Sequence, residues 1–278
     1  MKRIAIAIIH GIGRQNKEFA AEMIELINRN FASKVGNLVE DPSSQLIFQP
    51  IHWSELLEER EEDLYKKIVH EPKLDYQSLR KFFIHYAGDV IAYQPVESAK
   101  HNYERIHENI RENLNILAKK AGGYAPLCVI SHSLGSVLAS NYFYDLQSKQ
   151  MEGTPSALEK GETLALFYTL GTALPLWSLR YHKFDRPLNI PSPKLKNYYS
   201  GVKGEWVNFY DSDDILGYPL KTINEVYQHA VTKDRQVNVG NILTSWNPLC
   251  HTSYFTDKDV IDGIVDGLVR TWRQVNNR

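Results

Sequence analysis

"PLCVISHSLGSVLASNYF", residues 126–143, is the stretch on which the reading of this chain turns. Leu127 to Ile130 form a short apolar run with no polar face, the pattern of a strand buried on both sides. From Leu134 the pattern becomes helical and continues to residue 148. Ser133 stands at the joint between the two. Similar apolar runs lie on either side: "RIAIAII" (3–9), "QLIFQPIHW" (45–53), "TLALFYTLG" (163–171), the more alternating "EWVNFYD" (205–211), and "RQVNVG" (235–240) as a candidate sixth. Helical patterns fall between them at 17–34, 54–70, 75–87, 97–120 and 134–148, with a last one at 257–274. In the first, Phe19, Met23, Ile27 and Phe31 recur four apart as one stripe. Strands alternating with helices predict a mostly parallel α/β sheet with right-handed crossovers and helices on both faces.

The composition excludes several classes. Hydrophobic residues make up 43% and charged residues 23% of the 278, as in ordinary globular chains. A net charge of -1 gives no electrostatic basis for binding nucleic acid or an anionic membrane. Two distant cysteines, Cys128 and Cys250, make neither a disulfide framework nor a zinc spacing. The opening "MKRIAIAIIHGIG" has an apolar run too short for a secretory signal, and no run approaches the ~18 residues of a membrane span. The expectation is one cytoplasmic domain over residues 1–278. Two segments interrupt its alternation. Residues 54–96 form a helical insertion whose apolar side is Leu56, Leu57, Leu64 and Ile68 and whose acidic run is a solvated face. Residues 172–203, with four prolines and no periodicity, are a candidate lid or pocket wall.

Ser133 sits in S-H-S-L-G, close to the G-x-S-x-G of a nucleophile elbow, in which a strained strand–turn–helix joint exposes a serine. Roughly one S-x-G is expected by chance in a chain this long, so context discriminates. Such an elbow needs small residues two positions either side of the serine; Gly135 and Ser131 both qualify. The competing role for Ser133 is simple helix capping.

A nucleophile needs a base, an orienting acid and oxyanion donors. "IHGIGRQ" (9–15) follows the first strand, and its glycines suit an oxyanion loop; neither G-x-G-x-x-G nor a P-loop lysine is present, which disfavours a nucleotide site. Beyond the fifth strand, "YDSDDILGYPL" offers Asp211, Asp213 and Asp214, which could equally cap a turn or meet a cation. Past them only two histidines remain: His229, within a helical stretch, and His251, in a loop before the last helix. The order serine, aspartate, histidine is that of α/β-hydrolases.

Taken together, "IIHGIGRQ", "ISHSLGSV", "YDSDDILGYPL" and "CHTSYF" make the chain resemble a lipase/esterase-like member of the α/β-hydrolase superfamily over residues 4–276. The resemblance implies an α/β-hydrolase fold lacking the first strands, and a serine hydrolase acting on carboxylic esters. Its triad would be Ser133, Asp214 and His251, with the N–H groups of Ile12 and Leu134 as the oxyanion hole. Asp214 is preferred because "DILGYPL" is similar to the family's D-x-V-P-x-x-P context. The elbow departs from the family in lacking its first glycine. His10, Trp53 and Trp177 are candidate pocket residues, with core packing the alternative for each tryptophan. For His10 and His132, structural hydrogen bonding is the expected role. No metal or cofactor is expected, and the partner is a small acyl ester or lipid. Amide, thioester or phospholipid cleavage would use the same triad, and a catalytically silent binding protein is the alternative from a different class.

Overall fold

The computed structural model describes residues 1–11, 16–73, 75–93, 100–148, 153–240 and 248–277. Six strands form one parallel sheet: β1 (Ile4–Ile9), β2 (Leu46–Ile51), β3 (Leu127–His132), β4 (Leu164–Leu170), β5 (Glu205–Asp211) and β6 (Lys233–Val237), in the order β2-β1-β3-β4-β5-β6. Main helices are α1 (Ala21–Val35), α2 (Glu55–Tyr65), α3 (Gln77–Ala92), α4 (Lys100–Ala121), α5 (Leu134–Ser148) and α8 (Lys258–Asn276). Two short ones, α6 (Leu174–Ser178) and α7 (Glu225–Ala230), fall in the later connections.

The two-residue period of a strand sorts the core. Ile4, Ile6 and Ile8 of β1, with Cys128 and Ile130 of β3, meet Met23, Ile27 and Phe31 of α1 and Ile264, Leu268 and Trp272 of α8. Ala5, Ala7 and Ile9, with Leu127 and Val129, meet Ile106, Ile110 and Leu114 of α4 and Val137 and Leu138 of α5. Both faces are thus covered by helices, which is why β1 and β3 have no exposed side. Burying one such aliphatic side chain contributes about 1.5–3 kcal/mol.

The insertion departs from its expected pattern. Leu57 is buried, but Leu64 and Ile68 lie exposed, while Glu61 of the acidic run is buried against α3, where a Cβ on Gly88 would meet its Oε1 at 2.8 Å. Leu64 is already off the buried side within α2, and a turn of π-helix, Lys66–His70, follows it and carries the exposed Ile68. The stretch 172–203 carries α6 and a short 3-10 turn at Leu195–Asn197. Among the described residues no helix is long and apolar enough to cross a membrane.

The order places β1 between β2 and β3, so the chain leaves β1 toward one edge and returns on its other side. Where strand order reverses in a parallel sheet, the loops beyond the carboxyl ends part and leave a crevice. His10–Gly11 and Ser133 follow β1 and β3 at that point.

Candidate active site

Ser133 is the single residue between β3 and α5, with φ of 52°, the left-handed region that non-glycine residues rarely enter. Two hydrogen bonds hold it there. Its N–H donates to Leu170 O of β4 at 2.9 Å, and its carbonyl accepts from Ser136 N at 3.0 Å to start α5. The turn is so tight that a Cβ on Gly135 would lie 2.2 Å from His10 O, so glycine is required two residues after the serine. Two residues before it, Ser131 fits without glycine: its hydroxyl donates to Tyr168 O at 3.3 Å, and its own carbonyl accepts from the Ser136 hydroxyl at 3.0 Å.

The Ser133 residue is 1% exposed, and its Oγ lies 2.8 Å from His251 Nε2. His251 sits on the 3-10 turn Pro248–Phe255. Its Nδ1 faces Asp214, 2.8 Å from Oδ2 and 3.0 Å from Oδ1. With Nδ1 protonated toward the carboxylate, Nε2 is left to accept the serine proton. Burial alone would raise the Asp214 carboxyl, yet it is held below the usual carboxylate range. Hydrogen bonds from His251, from Leu216 N–H (3.0 Å to Oδ1) and from the Tyr254 hydroxyl (2.9 Å to Oδ2) stabilise its charged form.

The neighbouring aspartates do other work. Asp211 accepts from Asp213 N–H at 2.9 Å and from Val239 N–H at 2.6 Å, tying the end of β5 to the segment after β6. Asp213 is exposed. Of the three carboxylates, Asp214 is the one hydrogen-bonded to His251.

His132, inside the elbow motif, donates from Nε2 to His251 O at 2.7 Å, so the strand that presents the serine also holds the histidine backbone. Burial, then the nearby His251, depresses its imidazole to about 3 and keeps it a neutral donor. His10 is fixed likewise. Its Nδ1 donates to Gly11 O (2.7 Å), its Nε2 accepts from Trp53 N–H (3.2 Å), and the Trp53 indole N–H donates to His10 O (2.9 Å). The two rings stack with centroids 5.2 Å apart. Burial, opposed by the Gly11 bond and reinforced by His52, takes His10 to about 3 as well.

Trp177 lies apart from that pair, on α6. It is 5% exposed, its ring is 5.7 Å from Tyr93, and the Arg180 guanidinium stacks over it at 4.4 Å. Its indole N–H has no hydrogen-bond partner among the described residues. Leu134 opens α5 directly after Ser133, and the first N–H groups of a helix have no intrahelical acceptor. Ile12, the other expected oxyanion donor, lies outside the described residues.

His132 makes a structural hydrogen bond, the role expected of it, here to the His251 carbonyl; the contact of Tyr254 with Asp214 had no sequence expectation behind it. Tyr254 follows His251 by three residues, one turn of a 3-10 helix, which brings both side chains to the same side. That spacing was the available signal.

Fold and site define a parallel α/β protein with a buried serine at a strand–helix joint, joined through histidine to aspartate. The chain matches none of the known protein-family models and none of the curated proteins.

Proposed function

We propose that this chain is a serine hydrolase of the α/β-hydrolase type that cleaves a carboxylic ester through an acyl-enzyme. The observation that carries this reading is the position of His251, 2.8 Å from the Ser133 hydroxyl on one nitrogen and 2.8 Å from the Asp214 carboxylate on the other. A helix-capping serine would turn its oxygen back to the N–H groups of its own helix; Ser133 turns it to an imidazole. The left-handed backbone, the parallel sheet and the position at the strand-order reversal all support the same reading.

In the mechanism, Ser133 Oγ attacks the acyl carbonyl while His251 Nε2 takes its proton. Asp214 stays ionised and stabilises the imidazolium. The Leu134 N–H, with Ile12 as its expected companion, holds the developing oxyanion, a contribution of about 10²–10³ in turnover per donor. The imidazolium protonates the leaving alcohol, then Nε2 activates water to release the acid.

The test is fluorophosphonate labelling with peptide mapping, followed by a panel of acyl esters of increasing chain length. The label is expected on Ser133, to be absent from a folded Ser133→Ala variant, and esters are expected to turn over. Label elsewhere, or none on the folded chain, would overturn the assignment in favour of a silent binding protein.

A further inference from the structure

Most of the hydrogen bonds that hold the site come from backbone groups or from the three residues themselves. One does not. The Tyr254 hydroxyl is fully buried and has two partners, both from the segment that carries the acid. It donates to Asp214 Oδ2 at 2.9 Å and accepts from Asp211 N–H at 2.9 Å. Its ring packs on the face of Gly171, where a Cβ would come within 2.7 Å of Tyr254 Cε2 and 2.9 Å of Asp214 Oδ2. Gly171 has φ of 51°, and its N–H donates to Phe209 O at 2.9 Å, so the backbone beneath the ring is held by the sheet. Tyr254 therefore ties the base-bearing turn to the end of β4 through its ring and to the acid loop after β5 through its hydroxyl.

We propose that Tyr254 is a positioning residue, one that clamps the Asp214 carboxylate to the His251 turn and moderates how strongly that carboxylate acts on the imidazole. Two donors, His251 Nδ1 and the Tyr254 hydroxyl, share Oδ2. A hydrogen bond to a carboxylate draws charge from it, so each donor weakens the pull available to the other. Without the hydroxyl, Asp214 would hold the His251 proton more tightly and favour the imidazolium, raising the pH at which the base becomes available. Its geometry would also loosen, because among the described residues Leu216 N–H would be the only remaining donor besides His251.

Other groups around the imidazole do not produce the same effect. Facing it are the Ser133 hydroxyl, the neutral His132 ring at 4.7 Å and the Tyr254 ring at 6.3 Å. Asp211 and Asp213 precede Asp214 and act on Cys250, next to His251, and His10 acts on His132. Replacing the tyrosine hydroxyl leaves all of these in place.

Tyr254→Phe keeps the ring on Gly171 and removes only the hydroxyl. Its counterpart is site-specific 3-fluorotyrosine at position 254, close to isosteric and a stronger donor. The first readout is the His251 titration in the full chain by imidazole NMR, the resonance identified by its loss in a His251→Asn variant. Tyr254→Phe should raise the His251 midpoint by about half a unit to one unit, and fluorotyrosine should lower it. The second readout, which alone rests on the hydrolase reading, is the acid limb of kcat/KM. It should move with each midpoint, and kcat should fall about 10-fold in Tyr254→Phe with KM little changed. A His251 midpoint that stays put in both variants, each folded by circular dichroism, would overturn the proposal and leave Tyr254 a packing residue. Should Tyr254→Phe not fold, the direction of the fluorotyrosine shift decides alone. Failure of the hydrolase reading would appear separately, as an unlabelled Ser133 in the unmodified chain with the NMR shifts intact.

Discussion

Asp214 is one of three aspartates within four residues, and composition alone does not separate them. Their surroundings do. Asp211 spends its oxygens on main-chain N–H groups, Asp213 faces water, and Asp214 is buried against His251. Asp214→Asn keeps the size and removes the charge that would hold an imidazolium. It also allows an amide N–H to face Nδ1, which favours the wrong histidine tautomer. Turnover of a reactive ester should therefore fall by about 10³–10⁴. Asp213→Asn should stay within about threefold of the parent. Steady-state kinetics of both variants on one substrate checks this, and comparable losses in the two would mean that Asp214 is not the acid. The preference for Asp214 was legible in the sequence only through the likeness of its "DILGYPL" context. The Tyr254 contact was not, because a tyrosine three residues past a histidine becomes informative only once the segment is known to be a 3-10 turn.

At the scale of elements, the elbow depends on how closely α5 starts over the end of β1. A Cβ at position 135 would meet His10 O at 2.2 Å and Ile9 O at 2.9 Å. Both are backbone atoms at the end of a central strand, so neither can swing aside as a flexible side chain would. Gly135→Ala should cost about 3 kcal/mol or more, at the upper end for overpacking, and should weaken fluorophosphonate labelling as Ser133 shifts. Urea unfolding measures the first and labelling rate the second; a variant within 0.5 kcal/mol (roughly the scatter of ordinary surface substitutions) would show that the joint relaxes freely. The first four strands were readable as short apolar runs and the fifth as a more alternating one. The sixth was expected at 235–240 and lies at Lys233–Val237. It is an edge strand, and its Asp234 accepts from Asn208 Nδ2, Leu220 N and Lys221 N rather than packing in a core, so hydrophobicity marks only its end. α6 is too short to show a period, and in the insertion the stripe already fails inside α2, where Glu61 is buried and Leu64 exposed.

For the molecule as a whole, the buried histidines make folding depend on pH. His10 and His132 each have an ordinary value of 6.5 and are held at about 3 in the fold. Between those values the unfolded chain binds a proton at each and the folded chain does not, so acid favours unfolding. The sign follows: their contribution is fully present above about pH 6.5 and is lost progressively as pH falls toward 3. Each group contributes a slope of roughly 1.4 kcal/mol per pH unit, and the pair up to about 2.7 kcal/mol per unit. Asp214, held below 3.8, adds in the same direction at the acid end of that window. Against the 5–15 kcal/mol that stabilises an ordinary domain, acid is therefore a substantial destabilising influence. Urea titrations at pH 7, 6, 5 and 4 should therefore give midpoints that fall steadily below pH 6 at constant m-value. His132→Gln isolates one member: the amide can still donate to His251 O but does not titrate, so about half of the histidine-dependent slope should vanish. Midpoints level from pH 7 to 5 would mean that protons reach both rings in the folded chain. A slope untouched by His132→Gln would place the acid sensitivity at His10 and the carboxylates.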